Sequence, residues 1–177
     1  LPNLVTLTRG GLYAATAGFL FVPPTTAVVR WAPAACYGLG AVLDFVDGSL
    51  ARRMDRTTEL GSKLDLAFDT LGFLVAPLVA VAWGRLPAAY LSLSAARYVY
   101  RAGIGWRKRR GRPVGDLPES RVRRPLAALQ MAFIAVALAP VLPSSVVHPL
   151  ALVVAAPSLA TFARDYLVVT GRLASGS

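Results

Sequence analysis

The sequence contains one cysteine, Cys36, among its 177 residues, which excludes an internal disulfide and a cysteine-based metal site. Charge is also scarce: 16% of the residues are charged, whereas 55% are hydrophobic. A soluble domain of this length would be more polar, and its apolar runs would be shorter. No internal repeat or low-complexity tract is present. The composition therefore favours an integral membrane protein over an unusually apolar soluble domain.

Acidic residues are few, with nine Asp and Glu against 19 Lys and Arg, which gives a formal net charge of +10. The positive charge is concentrated in residues 52–56 and, more densely, in residues 97–124. Nucleic acid is one partner for such clusters, but the interleaved aromatic residues of a base-stacking platform are missing. Both clusters flank apolar segments, where basic residues mark the cytoplasmic side and attract anionic lipid. We therefore expect a lipid bilayer, and no nucleic acid, as the partner.

Turn signals divide the chain into six apolar segments, each close to the roughly 20 residues that cross a bilayer core as a helix. They comprise residues 3–22, 27–53, 60–83, 88–106, 125–142 and 146–169. The loops after segments two and four hold most of the arginine and should be cytoplasmic, whereas the other connections carry little charge. The predicted fold is one all-α membrane domain, residues 1–177, with six transmembrane helices and both termini inside.

Four acidic residues fall inside the second and third apolar segments. Asp44 and Asp47 are three residues apart and Asp65 and Asp69 four, so each pair shares one face of its helix. A short connection should make these helices antiparallel neighbours, with both acidic faces near the cytoplasmic end. Each ionised carboxylate in a membrane helix costs roughly 3 kcal/mol. The cluster therefore requires cations, protonation or arginine partners, and its hard oxygen ligands suit Mg²⁺, Mn²⁺ or Ca²⁺.

Two other interpretations of these acids are open at this point. Arg52, Arg53 and Lys63 lie near them in the sequence and would neutralise them as salt bridges. Buried carboxylates also line the pathways of small cation or proton transporters. A transporter needs polar groups that continue toward the outer face, whereas segments two and three become almost entirely apolar beyond Asp44 and Asp69.

Small residues are interleaved with the acids, namely Gly48, Ala51 and Gly61. Glycine inside a helix costs about 1 kcal/mol relative to alanine, so it indicates a close approach by a bulky group or by another helix. Together with Arg52, the acids and small residues form the pattern D-x-x-D-G-x-x-A-R-x8-G-x-x-x-D-x-x-x-D over residues 44–69. This pattern resembles the signature of the CDP-alcohol phosphotransferase (CDP-alcohol phosphatidyltransferase) family, and every defined position matches. The six-segment layout also agrees with that family's fold.

The resemblance implies an enzyme that moves a substituted phosphate from a CDP-linked donor, in lipid-making members CDP-diacylglycerol, to an alcohol and releases CMP. It implies that Asp44, Asp47 and Asp65 ligate a divalent metal, Mg²⁺ or Mn²⁺, on the donor pyrophosphate. Asp69 would take the proton of the acceptor hydroxyl and help to hold a second ion. Metal would offset the carboxylate repulsion and stabilise charge on the leaving CMP. The residues implied around the nucleotide are Gly48, Ala51, Arg52 and Gly61.

Near the start of the chain, Asn3, Thr6 and Arg9 resemble the N-x-x-T-x-x-R opening common in this family. The resemblance implies that these side chains bind the cytidine or the phosphates of the donor. Helix capping is the simpler alternative for Asn3 and Thr6.

Arginines at the predicted cytoplasmic ends of segments four to six are candidates for the acceptor site, because guanidinium groups bind phosphate bidentately. Their alternative role is to set the membrane topology. Asp165 adjoins one of them and is expected to form an ion pair rather than to act as a catalyst. The candidates are Arg97, Arg101, Arg121, Arg123, Arg124 and Arg164.

One segment bears on the identity of the acceptor. Residues 120–131, SRVRRPLAALQM, are similar to the S-x-x-G-K-x-x-T-x-x-Q-M segment of phosphatidylglycerophosphate synthases. Ser120, Gln130 and Met131 match that segment, whereas Arg123 and Ala127 depart from it. Glycerol 3-phosphate is therefore the first expected acceptor, and inositol phosphate, inositol and serine are open alternatives. We further expect a homodimer in a prokaryotic-type inner membrane, with the active site at the cytoplasmic end of the helix bundle.

Overall fold

The chain folds into six α-helices joined by short connections, as a computed structural model shows for residues 2–54, 59–115, 120 and 122–172. The side chains of residues 2, 3, 47–54, 59–66 and 69 are outside that description. The helices are α1 (Pro2–Gly18), α2 (Ala27–Met54), α3 (Glu59–Ala82), α4 (Leu91–Arg109), α5 (Arg123–Leu138) and α6 (Ser144–Val169). Two short 3₁₀ turns, Phe19–Phe21 and Ala88–Tyr90, complete the described secondary structure, which includes no strand. The predicted all-α class and the six helical segments are confirmed.

Glycines in the left-handed backbone region mark several of the helix ends. Gly111 follows α4 with φ +62°, and Gly171 follows α6 with φ +71°. Only glycine adopts this region without a steric penalty, and the turn lets the last carbonyls of the helix find amide partners. The Gly171 amide, for example, donates to the Val168 carbonyl at 2.9 Å. These glycines therefore determine where α4 and α6 stop.

Helix α1 packs on both α2 and α3, which touch each other over a much smaller surface. Tyr13 of α1 is buried between the other two helices, beside Gly40 of α2 and Gly72 of α3. An alanine Cβ would lie 2.5 Å from the tyrosine ring at residue 40 and 2.8 Å from it at residue 72, closer than carbon atoms pack. The expected proximity of the two acid-bearing helices is therefore mediated largely by α1.

Arg85 joins the α3–α4 connection to the end of α5. Its Nε donates to the Ala137 carbonyl at 3.1 Å, and its Nη2 donates to the carbonyls of Ala139 at 2.6 Å and Leu142 at 2.8 Å. The last carbonyls of a helix have no partner within the helix. The guanidinium satisfies one of these carbonyls, that of Ala137, together with two carbonyls of the connection that follows α5. A positive charge in this weakly charged connection thus has a structural role.

One helix in the described chain, α6, is long and apolar enough to cross a membrane, with a mean hydropathy of 1.8 in its most apolar window. Only 22% of that window is buried within the chain. A core helix of a soluble protein would be mostly buried, so the exposure of α6 favours contact with lipid. A shorter apolar stretch lies at Thr70–Ala82 in α3. The number of six transmembrane helices stays a prediction.

Candidate active site

Helices α2 and α3 carry the four acids of the sequence pattern. Asp44 and Asp47 lie in the C-terminal part of α2, and Asp65 and Asp69 in the N-terminal half of α3. Only the Asp44 side chain belongs to the described part of the structure, and no group of three potential metal ligands occurs among the described residues. Other predicted site residues whose side chains are outside the description are Asn3, Gly48, Ala51, Arg52, Gly61 and Arg121.

Arg9 of α1 forms an ion pair with Asp44 of α2 through a hydrogen bond from Nη1 to Oδ1. The Arg9 side chain is 1% exposed and the Asp44 side chain 29% exposed, so the pair lies at the edge of the protein interior. Thr6, one turn earlier on α1, is also buried. The sequence predicted a cation or an arginine near the acids, but it did not indicate that Arg9 contacts Asp44, because the residues are 35 positions apart.

A cavity of about 500 Å³ opens between α3, α4, α5 and α6. Most of its wall is apolar, with side chains such as Phe73, Leu126 and Phe162. The charged residues in its lining are three arginines and one aspartate. They are Arg97, Arg101, Arg123 and Asp165. The cavity can therefore hold a small anion against a mostly apolar wall.

The cationic side of this cavity adjoins the acid-bearing part of α3. Arg101 Nη1 donates to Thr70 Oγ1 at 3.2 Å, and the Tyr98 hydroxyl donates to the Thr70 carbonyl at 3.4 Å. Thr70 immediately follows Asp69 in α3. Arg97, one turn earlier on α4, stacks over the Phe73 ring with its guanidinium carbon 4.9 Å from the ring centroid. Two arginines of α4 are thus anchored to the helix that carries Asp69.

Arg123, the first residue of α5, pairs with Asp165 of α6. The Arg123 Nε donates to Asp165 Oδ2 at 2.7 Å, and Asp165 is 5% exposed. An arginine guanidinium stays protonated in proteins, so the contact is an ion pair. The expected ion pair of Asp165 is confirmed, but its partner is Arg123, which is 42 residues away, rather than the adjacent Arg164.

The five predicted acceptor arginines that the structure describes separate into two groups. Arg97, Arg101 and Arg123 line the cavity. Arg124 and Arg164 are exposed and are not part of its lining. The cavity thus brings together three of the candidates.

Gln130 links three elements beside the cavity. Its Nε2 donates to the Val154 carbonyl at 2.7 Å and to Ser158 Oγ at 3.0 Å, both on α6, and its Oε1 accepts the hydroxyl of Tyr90. Gln130 is 2% exposed. The sequence marked Gln130 by its similarity to a synthase segment, whereas nothing in the local sequence marked Tyr90 or Ser158.

Comparison with known proteins identifies the family of the chain. No curated protein gives a significant match. A family model described as CDP-alcohol phosphatidyltransferase matches residues 1–158, which include helices α1 to α5 and the first half of α6. The members of this family are membrane-embedded transferases of phospholipid synthesis that use CDP-alcohols. With the signature residues in α2 and α3 and the match over most of its length, the chain belongs to the CDP-alcohol phosphatidyltransferase family.

Proposed function

We propose that the protein transfers a phosphatidyl group from CDP-diacylglycerol to an alcohol that carries a phosphate, with glycerol 3-phosphate as the first choice, and releases CMP. The observation that supports this most directly is the position of the arginine-lined cavity. Its Arg101 contacts Thr70, next to Asp69 on α3. An acceptor anion held by these arginines would place its hydroxyl near the helix that bears the proposed base.

Asp69 is the proposed general base, which takes the proton of the acceptor hydroxyl as that oxygen attacks the donor phosphate. A base of this kind acts only within hydrogen-bond reach of the proton. Arg52, Gly48, Ala51 and Gly61 are proposed to surround the nucleotide. Asn3 and Thr6 are proposed to bind it from α1, together with Arg9, whose guanidinium also contacts Asp44.

Asp44, Asp47 and Asp65 would hold a divalent metal, Mg²⁺ or Mn²⁺, and Asp69 would contribute to a second ion. The donor set fits, because carboxylate oxygens are hard ligands and Asp44 is kept in place by a buried arginine. When bound, the metal would stabilise negative charge on the pyrophosphate of the donor.

The charge of the cavity supports a phosphorylated acceptor. Three guanidinium groups and one carboxylate leave two net positive charges, assuming that all four groups are ionised. A phosphate monoester carries about −1.5 to −2 charges at pH 7, which matches this excess. Inositol phosphate shares this charge, whereas inositol and serine have no phosphate to place there.

We also propose that all six helices cross the membrane with the α2–α3 and α4–α5 connections on the cytoplasmic side. The cavity and the acids then face the compartment that supplies a soluble acceptor, while the donor tails stay in lipid. We propose a homodimer in a prokaryotic-type inner membrane. Crosslinking in membranes that trapped only monomer would contradict the dimer.

The experiment is an assay of CMP release from CDP-diacylglycerol by purified protein in detergent, with Mg²⁺ and a panel of acceptors. The panel contains glycerol 3-phosphate, inositol phosphate, inositol and serine, and the lipid product is identified by mass. We expect turnover with a phosphorylated acceptor, loss of turnover with a chelator, and recovery with added Mg²⁺.

Asp69→Asn should abolish turnover and retain binding of CDP-diacylglycerol, whereas Asp116→Asn, outside the signature of residues 44–69, is the control. Normal turnover of Asp69→Asn would exclude Asp69 as the base. Metal-driven cation flux into liposomes without any CMP release would instead support a small cation or proton transporter.

A further inference from the structure

The ion pair between Arg123 and Asp165 makes only one of the two hydrogen bonds that an arginine and a carboxylate can form side by side. A guanidinium faces a carboxylate side-on with two parallel hydrogen bonds, one from Nε and one from the neighbouring Nη2. Arg123 Nε donates to Asp165 Oδ2 at 2.7 Å. Arg123 Nη2 and Asp165 Oδ1 are both buried and have no hydrogen-bond partner in the described part of the chain. One donor and one acceptor are therefore left over in the same residue pair.

Buried polar atoms without partners are rare in folded proteins, because each lost hydrogen bond to water is costly. Both residues contribute to the wall of the arginine-lined cavity. A hydroxyl group is the simplest chemical group that satisfies both atoms, since its proton bonds a carboxylate oxygen while its own oxygen accepts from a guanidinium. A phosphate oxygen would satisfy the arginine but would be repelled by Asp165.

We infer that the Arg123–Asp165 pair binds a non-reacting hydroxyl group of the acceptor and selects polyol phosphates over phosphates that lack this hydroxyl. The inference rests on the proposed function and narrows its substrate class. In glycerol 3-phosphate the group would be the hydroxyl at C2, with the phosphate on Arg97 and Arg101 and the C1 hydroxyl free to react. Asp165 lies beyond residue 158, where the family match ends.

The test compares sn-glycerol 3-phosphate with 3-hydroxypropyl phosphate, which keeps the phosphate and the primary hydroxyl but lacks the hydroxyl at C2. A hydrogen bond to a charged group contributes enough that wild-type kcat/KM should fall by about 10- to 100-fold with the deoxy analogue. The loss should appear mainly in KM. Asp165→Asn should reduce this preference to about threefold or less, since the ionic acceptor is lost.

Two further variants make the result specific. Arg123→Lys keeps the positive charge but has no Nη2, so it should lose the preference as well. This variant provides the test if Asp165→Asn does not fold. Thr161→Val is the matched control, because Thr161 lines the same cavity while its hydroxyl already donates to the Pro157 carbonyl at 2.8 Å. It should retain the wild-type preference, and KM for CDP-diacylglycerol should stay within about twofold in all three variants.

Several outcomes would overturn the inference. The first is equal kcat/KM for the two phosphates in wild type. The second is an unchanged preference in both Arg123→Lys and Asp165→Asn. Either result would mean that water, and not the acceptor, bonds the two unpartnered atoms of the pair. If no acceptor supports CMP release, the proposed function fails, and calorimetric titration of the protein with the two phosphates still decides the inference. Tighter binding of sn-glycerol 3-phosphate that is lost in Asp165→Asn supports it, whereas equal binding or no binding of either compound overturns it.

Discussion

The buried guanidinium of Arg9 in α1 holds the carboxylate of Asp44 in α2, the first acid of the family signature. The contact joins the N-terminal helix to the proposed metal site. Because Arg9 is inside the protein and Asp44 is partly exposed, the arginine acts as an internal support for the carboxylate. We therefore expect the pair to affect both stability and turnover.

Arg9→Gln should lower the free energy of unfolding by up to about 3 kcal/mol, at the low end of the range for a broken buried pair because Asp44 is partly exposed. It should also reduce CMP release by at least about tenfold, since the Asp44 carboxylate loses its support. Unfolding in detergent and the CMP assay measure the two effects. Thr8→Ala is the control, because Thr8 is exposed and its hydroxyl donates to the Leu4 carbonyl of the same helix. Wild-type stability and turnover of Arg9→Gln would show that the pair is dispensable.

Gly40→Ala should destabilise the protein, because its methyl group would lie 2.5 Å from the buried ring of Tyr13. Overpacking of this kind costs about 1–3 kcal/mol. Gly38→Ala, two residues earlier on α2, meets nothing within 4 Å and should be neutral or stabilising by up to about 1 kcal/mol. Thermal unfolding of the two variants in detergent provides the comparison. Equal unfolding temperatures would contradict the close packing of α1 against α2.

Arg85→Lys should lower the unfolding temperature without changing turnover per folded molecule. A lysine ammonium cannot reproduce the planar arrangement with which Arg85 contacts the carbonyls of Ala137, Ala139 and Leu142. We expect a loss of about 1–3 kcal/mol in the free energy of unfolding. Arg30→Lys is the matched control, because Arg30 Nε makes one exposed hydrogen bond, to the Pro24 carbonyl at 3.2 Å. A large loss of turnover in soluble, folded Arg85→Lys would contradict a purely structural role.

Gln130→Leu should destabilise the protein by about 1–3 kcal/mol for each polar group that it leaves without a partner. The groups affected are the Tyr90 hydroxyl, Ser158 Oγ and the Val154 carbonyl. Adding Tyr90→Phe to the leucine variant should cost less than Tyr90→Phe costs in wild type, because the hydroxyl has already lost its acceptor. A double-mutant cycle of unfolding free energies measures this coupling. Strict additivity would show that the two residues do not interact.

Much of the helical architecture could be predicted from local features. The apolar segments, separated by Pro23-Pro24 and by glycine turns, correspond to the six observed helices. The signature of residues 44–69 identified the family because its spacing is a property of the chain itself, and the family match confirms it. The sequence predicts six membrane-spanning segments, whereas only α6 meets the criteria of length and hydropathy in the described chain.

Contacts between distant residues could not be predicted in the same way. Arg9 with Asp44 and Arg123 with Asp165 join positions 35 and 42 residues apart, and neither local spacing nor charge pattern specifies such a partner. The sequence indicates the adjacent Arg164 as the ion-pair partner of Asp165, but successive residues of a helix point in different directions. Arg123 at the start of α5 is instead brought to Asp165 by the packing of α5 against α6.

By itself, the sequence determined the helices, the apolar character and the position of the acids along α2 and α3, because these depend on residue type and on a period of 3.6 residues. Only the tertiary structure decided that α1 lies between the acid-bearing helices and that three of the predicted arginines share a cavity with a carboxylate. These features depend on how helix surfaces fit together. Side-chain shapes, such as Tyr13 between Gly40 and Gly72, control that fit where α1 meets α2 and α3.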